Sequence, residues 1–214
     1  AGRLFSLSAS EQMWHTAEVA SAVRIMKEGF EQRSSAELAN LLKHPDSRIR
    51  LRAQVALTRK PEALQCFLNA ADSSIFMVRI HGIQGLGILS RRGSSPLPVA
   101  MFGDIPSAKT RTEAEIKLIA LLQDKNPEIR AQSLRALADS KNESNTIQLA
   151  PLLADESMRV RFFAAILAGK RQMIEYYGPI CDLLAENDNR DVYLRHACIF
   201  ALQGMAIENP NILV

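Results

Sequence analysis

The chain has 214 residues, of which 47% are hydrophobic and only 6% aromatic, with 26 basic against 23 acidic side chains and a formal net charge of +3. That length supplies a sizeable core, the near-balance of charge demands no nucleic-acid partner, and no apolar run approaches the ~20 residues needed to span a bilayer. Cys66, Cys181 and Cys198 show no CxxC spacing, and their odd number argues against a disulfide framework, which leaves buried free thiols as the simpler reading.

The first predicted element is a short strand. Gly2-Arg3-Leu4-Phe5-Ser6-Leu7 alternates as a strand does, yet a lone strand ahead of an Ala- and Leu-rich helical chain has nothing to pair with. Residues 1–9 are therefore expected to be the remnant of a preceding β domain, and the opening Ala1-Gly2-Arg3, without Met or a leader pattern, fits a mature or excised chain. From Ser10 to about Gly29 the pattern turns helical: Met13, Ala17, Ala20, Val23 and Met26 share a face, Trp14 lies near it, Ser10 can cap the start and Gly29 the end. Residues 10–35 read as a capping helix and linker, the cover that a stacked array needs over its first core.

One phrase then recurs five times: an apolar helix end, an acidic turn, Val or Ile followed by Arg, and a second helix with small residues at close-packing positions. It is clearest in Leu121-Leu122-Gln123-Asp124-Lys125-Asn126-Pro127-Glu128-Ile129-Arg130, where Pro127 suits the first position of a helix. The anchoring arginines are Arg50, Arg79, Arg130, Arg161 and Arg195, at spacings of 29, 51, 31 and 34 residues. Against a period of about thirty, the second interval is long by roughly twenty residues. The excess is the Gly/Pro/Ser-rich stretch 91–112, an inserted loop. Repeats 1–2 occupy 36–90, and repeats 3–5 with a tail occupy 113–214; about three extra turn residues fall around Asn187–Asp191 in the fifth.

Five copies in register resemble the HEAT-like repeat family, in the short form also found in phycobilisome lyases, over roughly residues 36–205. The resemblance implies an all-α fold: a right-handed α-α superhelix, a HEAT-like or ARM-type solenoid of about five helical-hairpin repeats. Further phrases, Gly2-Arg3-Leu4-Phe5, Glu28-Gly29-Phe30-Glu31-Gln32-Arg33-Ser34, Arg79-Ile80-His81-Gly82-Ile83-Gln84-Gly85-Leu86-Gly87 and Tyr193-Leu194-Arg195-His196-Ala197, resemble large exported bacterial proteins often labelled membrane-bound dehydrogenases. These join a sugar-dehydrogenase-like β-propeller to HEAT repeats and often a c-type haem domain. The resemblance implies a periplasmic or exported parent oxidoreductase, with the orphan strand as the last propeller strand. No Cys-x-x-Cys-His occurs, so haem attachment is not carried over.

The chemistry-bearing residues point away from catalysis. His81 and His196 follow anchoring arginines but lie three repeats apart and out of phase, which argues against a shared metal; His15 and His44 are the other histidines. Gly82, Gly85 and Gly87 form GxxGxG inside a predicted helix, without the preceding strand a dinucleotide loop requires, so close helix packing is the better reading. No catalytic, cofactor or metal residue is expected in this chain. The acidic turn residues Asp46, Asp72, Asp124, Asp155 and Asp188 and the arginines Arg50, Arg79, Arg130, Arg161 and Arg195 are expected instead to form a structural ladder, each Arg reaching an Asp of its own or the adjacent turn. A basic stripe for phosphate, from Arg48, Arg50, Arg52, Arg91 and Arg92, is the rival use of those charges.

Second helices line the concave side of such a superhelix. Positions one and five after each anchor are Leu51 and Val55, Ile80 and Gln84, Ala131 and Arg135, Phe162 and Ile166, and His196 and Phe200. They form an unusually apolar candidate interaction face, either free or covered. The expected role is a non-catalytic scaffold or protein-interaction module whose partner is a protein or a neighbouring propeller domain of the same chain. The rival is a HEAT-like nucleic-acid-binding protein or DNA-alkylation glycosylase, which needs a basic concave face.

Overall fold

The computed structural model describes residues 17–91, 106–140 and 147–208. The predicted strand at 1–9, the cap Ser10, Met13, Trp14, most of the insertion and the tail after Glu208 lie outside the described residues.

Every regular element among the described residues is helical, and local chemistry sets most boundaries. Helix α1 (Ala17–Glu28) stops at Gly29, whose φ of +78° is left-handed backbone that costs a side-chain-bearing residue strain. Helix α2 (Ser35–Leu41) opens on a capping box: Ser34 Oγ accepts the Glu37 N–H, and the Glu37 carboxylate accepts the Ser34 N–H at 2.8 Å. In α3 (Ser47–Leu57) the Asp46 carboxylate accepts the Arg48 N–H. Helices α4 (Ala63–Ala71) and α5 (Phe76–Arg91) complete the second hairpin. Helix α6 (Ala108–Ala120), capped by Ser107, runs into a 3-10 turn at Leu121–Gln123, and α7 (Pro127–Ala138) starts with Asn126 as cap and Pro127 in its first turn. Then come the short α8 (Ala150–Leu153), α9 (Met158–Lys170), α10 (Tyr177–Asn187) and α11 (Val192–Glu208).

The helices form two layers. The second helices α3, α5, α7, α9 and α11 pack each against the next, and each also packs on the first helix of its own hairpin, α2, α4, α6, α8 or α10. The core lies between the layers and runs unbroken through Leu38, Ile49, Phe67, Leu86, Leu118, Ile129 and Leu149 to Cys198. Two glycines let helix backbones touch. A Cβ on Gly82 would lie 2.4 Å from the Ala71 amide nitrogen of α4, and one on Gly169 would lie 2.5 Å from the Ala201 Cα of α11. The glycines of α5 thus serve helix approach and not a phosphate.

Two expectations change. Residues 108–112, assigned to the inserted loop, are the first turns of α6, because the Ser107 hydroxyl caps that helix earlier than the Gly/Pro/Ser composition suggests. In α1 the buried side is Ala22 and Ile25, with Met26 partly packed, whereas Ala17, Ala20 and Val23 are exposed. Two apolar stripes compete on this helix, and burying the larger Ile25 against the array removes more apolar area from water.

Candidate interaction surface

The turn arginines obey a register that the acidic residues alone do not reveal. Arg130 donates through Nη1 to the Asp124 carbonyl of its own turn at 2.8 Å, and through Nε and Nη2 to both oxygens of Asp155 on the next turn, each at 2.8 Å. Arg79 does the same one repeat earlier: its Nε donates to the Ala71 carbonyl and its Nη2 to Asp124 at 2.5 Å. In both cases the accepting carboxylate stands six residues before the next anchor and also accepts a turn N–H, from Asn126 or Ser157. Burial by itself raises the Asp124 carboxyl, but the hydrogen bonds from Arg79 and the Asn126 N–H and the charges of Arg79 and Lys125 outweigh it and hold it below the ordinary carboxylate range. The Asp155 hydrogen bond holds Arg130 above its usual value.

Both pairs reach to the adjacent turn; the other three aspartates of the expected ladder, Asp46, Asp72 and Asp188, hold no anchoring arginine. Asp46 is four residues before Arg50, where it caps α3 and pairs with Arg48 at 2.6 Å. Asp72 is seven residues before Arg79 and binds Lys117 at 2.6 Å. Asp188 is seven before Arg195 and occupies a left-handed C-cap at φ +42°, so Arg195 donates to Asn189 and Arg161 approaches Glu186 at 3.6 Å. The critical place is held by Ser73 in the second turn and Asn189 in the fifth, neither of which carries a charge.

Arg50, lacking a carboxylate, turns inward. It donates to the carbonyls of His44 and Pro45 and, through Nε, to His81 Nε2 at 3.2 Å. His81 Nδ1 therefore carries the proton and donates to Gln54 Oε1 at 2.6 Å. Burial, and then the Arg50 charge, push the His81 imidazole below its ordinary value, so it stays neutral. His196 is exposed on α11. Of the arginines expected as a basic stripe, Arg48 pairs with Asp46, Arg50 turns internal and Arg91 lies against Asp139 at 3.3 Å, while Arg52 is exposed and Arg92 lies outside the described residues.

A second buried link escaped the sequence. Arg171, just past α9, pairs with Glu115 on α6 at 2.7 Å and also donates to the Leu137 carbonyl. The partners are 56 residues apart, and neither lies in the repeated phrase. The Cys198 thiol is fully buried in α11; burial, and then Cys181 nearby, push it up to about 11. It is a core residue and not a nucleophile.

On the second-helix face, Leu51 is 54% exposed and Phe200 39%, His196 and Arg135 are exposed, and Val55, Ile80, Gln84, Phe162 and Ile166 are half-buried. Ala131 departs from the expectation: it is buried between helices. Two hollows lie on this face. The first, about 230 Å³, runs across α3, α5 and α7 and is polar, with Gln54, Gln84, Arg91, Gln132, Arg135 and Asp139 on its walls. The second, about 320 Å³, lies between the starts of α9 and α11 and is mostly apolar, walled by Met158, Arg159, Phe162, Asp191, Tyr193 and Leu194. Phe162 stands edge-on to Phe163 at 4.9 Å, Arg159 lies over the Phe163 ring and pairs with Glu128 at 2.8 Å, and Tyr193 is 75% exposed. Positional reasoning found Phe162 but missed Met158, Arg159 and Tyr193. These come two and three residues before the anchor, and helical side chains lean toward the N-terminus, so the first turn covers more of this face than its Cα positions suggest.

Comparison with known proteins agrees with this architecture. Residues 115–203 match the family of HEAT repeats. No curated protein matches the sequence. A designed armadillo repeat protein, solved in complex with a (KR)4 peptide, is similar at TM-score 0.53 and 15% identity, over 91% of this chain and 97% of its own. An engineered protein from the Northeast Structural Genomics Consortium is similar at TM-score 0.50 and 18% identity, over 80% and 78%. No helix among the described residues is long and apolar enough to cross a membrane. By fold, the chain is an all-α solenoid of the HEAT and armadillo kind, and its residues 115–203 carry the HEAT-repeat pattern itself.

Proposed function

We propose that the chain is a non-catalytic interaction module whose second-helix face holds an extended segment of a partner protein. The observation that carries this reading is the apolar hollow of Phe162, Met158 and Tyr193, with a separate polar hollow around Gln84 and Arg135 on the earlier second helices. Aromatic and Arg side chains around an apolar cleft are the composition that concentrates binding energy at protein interfaces. An apolar anchor of the partner fills the cleft. Gln84 offers an amide donor and acceptor to the partner's backbone, and Arg135 offers a guanidinium to an acidic side chain. The armadillo protein of similar fold is bound to a basic (KR)4 peptide. Here Arg91 is already paired with Asp139 in the polar hollow, and the exposed Arg135 beside it favours an apolar anchor with an acidic neighbour.

The finer reading, a module that sits beside a propeller in an exported oxidoreductase and positions it against other partners, is supported by phrases such as Gly2-Arg3-Leu4-Phe5 and Tyr193-Leu194-Arg195-His196-Ala197. A periplasmic or exported location belongs to that reading, as does the absence of a cofactor in this chain.

The test is selection of peptides from a displayed random library, followed by calorimetric titration. Phe162→Ala and Tyr193→Ala are each expected to weaken the selected peptides about tenfold or more, equivalent to about 1.4 kcal/mol, and Arg135→Glu to reject acidic ones. Failure to enrich any peptide, with tight and steeply salt-dependent binding to duplex DNA, overturns the proposal in favour of a nucleic-acid role.

A further inference from the structure

Two glutamines on the walls of the polar hollow are pinned in opposite senses. Arg50 can only donate, so His81 Nε2 accepts from it and His81 Nδ1–H donates to Gln54 Oε1. Gln54 must then hold its NH2 group away from His81. The residue is 3% exposed, yet it reaches the hollow, and its Nε2 has no hydrogen-bond partner among the described residues. A buried amide donor calls for an acceptor. Gln132 is held the other way round: its Nε2 donates to the Glu128 carboxylate at 2.7 Å, which leaves its oxygen to accept. The charges about the hollow are mainly positive. Asp139 is shared by Arg91 and Lys170, Glu128 is matched by Arg159, and Arg135 is exposed and in no ion pair among the described residues.

We propose that Gln54 sets the specificity of this hollow, and that the group it takes is the carboxylate of a Glu or Asp side chain on the partner segment. The segment rests on the interaction reading above; the chemistry rests on the hollow's own residues. A carboxylate only accepts, so it matches a fixed NH2 group in a hollow that also holds an unpaired guanidinium. A lysine brings only donors and leaves Gln54 without an acceptor. A side-chain amide offers Gln54 an oxygen but brings no charge to Arg135. Phosphate has the acceptor oxygens too, but its second charge faces Asp139 on the same wall. The hollow runs across α3, α5 and α7, so a segment laid over it continues on both sides. That suits an internal side chain better than a chain end, and it leaves Gln132 Oε1 to take a backbone N–H of the segment.

The test titrates the intact, isotope-labelled chain with small probes and reads the side-chain amide signals of Gln54 by NMR. N-acetylglutamate α-amide is expected to shift those signals saturably and to bind about tenfold tighter than N-acetylglutamine α-amide. Arg135→Gln should remove most of that preference and leave the fold intact, because Arg135 is exposed. Gln54→Glu keeps an acceptor for His81 Nδ1–H but puts oxygen where the donor was, and should abolish binding of the acidic probe. Equal binding of the two probes, or a preference that survives Gln54→Glu, overturns the proposal. Where that variant does not fold, the unsubstituted chain decides: Gln54 signals that stay put at saturating acidic probe overturn it. Tighter binding of N-acetylglycine overturns the side-chain assignment in favour of a chain terminus, and tighter binding of inorganic phosphate overturns it in favour of a phosphate group. The titration is independent of the peptide selection. Selected peptides that depend on Phe162 and Tyr193, while the two probes bind alike, sink this inference alone. A clear preference for the acidic probe with no enriched peptide sinks the interaction reading and leaves the carboxylate subsite standing.

Discussion

The middle of the array and its flanks use the same arginine differently. In turns three and four an aspartate six residues before the anchor receives the preceding arginine, so Arg79–Asp124 and Arg130–Asp155 tie consecutive repeats together. In turns two and five the same place holds Ser73 or Asn189; Arg50 is diverted into the His81–Gln54 network, and Arg161 is left with an exposed glutamate. The arginine is a constant part of the fold, whereas the inter-repeat ion pair depends on one residue in the following turn. Stiffness along this solenoid is thus expected to vary from repeat to repeat.

The largest effect should come from breaking the middle. Arg130→Ala leaves the nearly buried Asp155 unpaired and is expected to cost about 3 kcal/mol in urea melts. A double-mutant cycle with Asp155→Asn should recover a large coupling, and a coupling near zero would make the pair incidental. Arg50→Ala, which loses neutral acceptors only, should cost about 1 kcal/mol. The contrast is sharpened by giving the second turn its missing carboxylate: Ser73→Asp should stabilise by about 0.5–1 kcal/mol, and that gain should vanish in an Arg50→Ala background. pH separates the two regions as well. Asp124 is depressed on folding, so its contribution is complete above the unfolded carboxyl value near 3.9 and is lost as pH falls through the lower folded value. His81 is also depressed, so its contribution is complete above about 6.5 and declines as pH drops toward its folded value; His81→Gln should flatten melts recorded between about pH 7 and 5. Smallest of all, Arg135→Ala on the exposed face should stay within about 0.5 kcal/mol.

The period was legible because each anchor lies at a fixed distance from its helix start: the N-cap stands four residues before it at Asp46, Asn126, Ser157 and Asp191. The ladder was only half legible. Aspartates four, six or seven residues before an anchor look equivalent in a turn-rich segment, but in space they cap the helix, face the neighbouring repeat, or end the preceding helix. The capping helix was legible as a helix but not in its rotation, since Val23 and Ile25 both offer an apolar stripe. The apolar surface of the second helices was legible at Leu51, Phe162 and Phe200, while Met158 and Tyr193 reach it only through the tilt of helical side chains. The Glu115–Arg171 link left no local pattern at all.

The buried Cys198 has a practical consequence. Its thiol is sealed within the fifth repeat and shifted away from the thiolate form, so a thiol reagent reaches it only when α11 lifts from its neighbours. The rate of its modification, compared with that of the half-buried Cys66 in α4, is therefore an intrinsic clock for unzipping. If the solenoid opens from its C-terminal end, Cys198 reacts well below the denaturant concentration that unfolds the whole chain. If the array opens as one cooperative unit, its reaction tracks global unfolding.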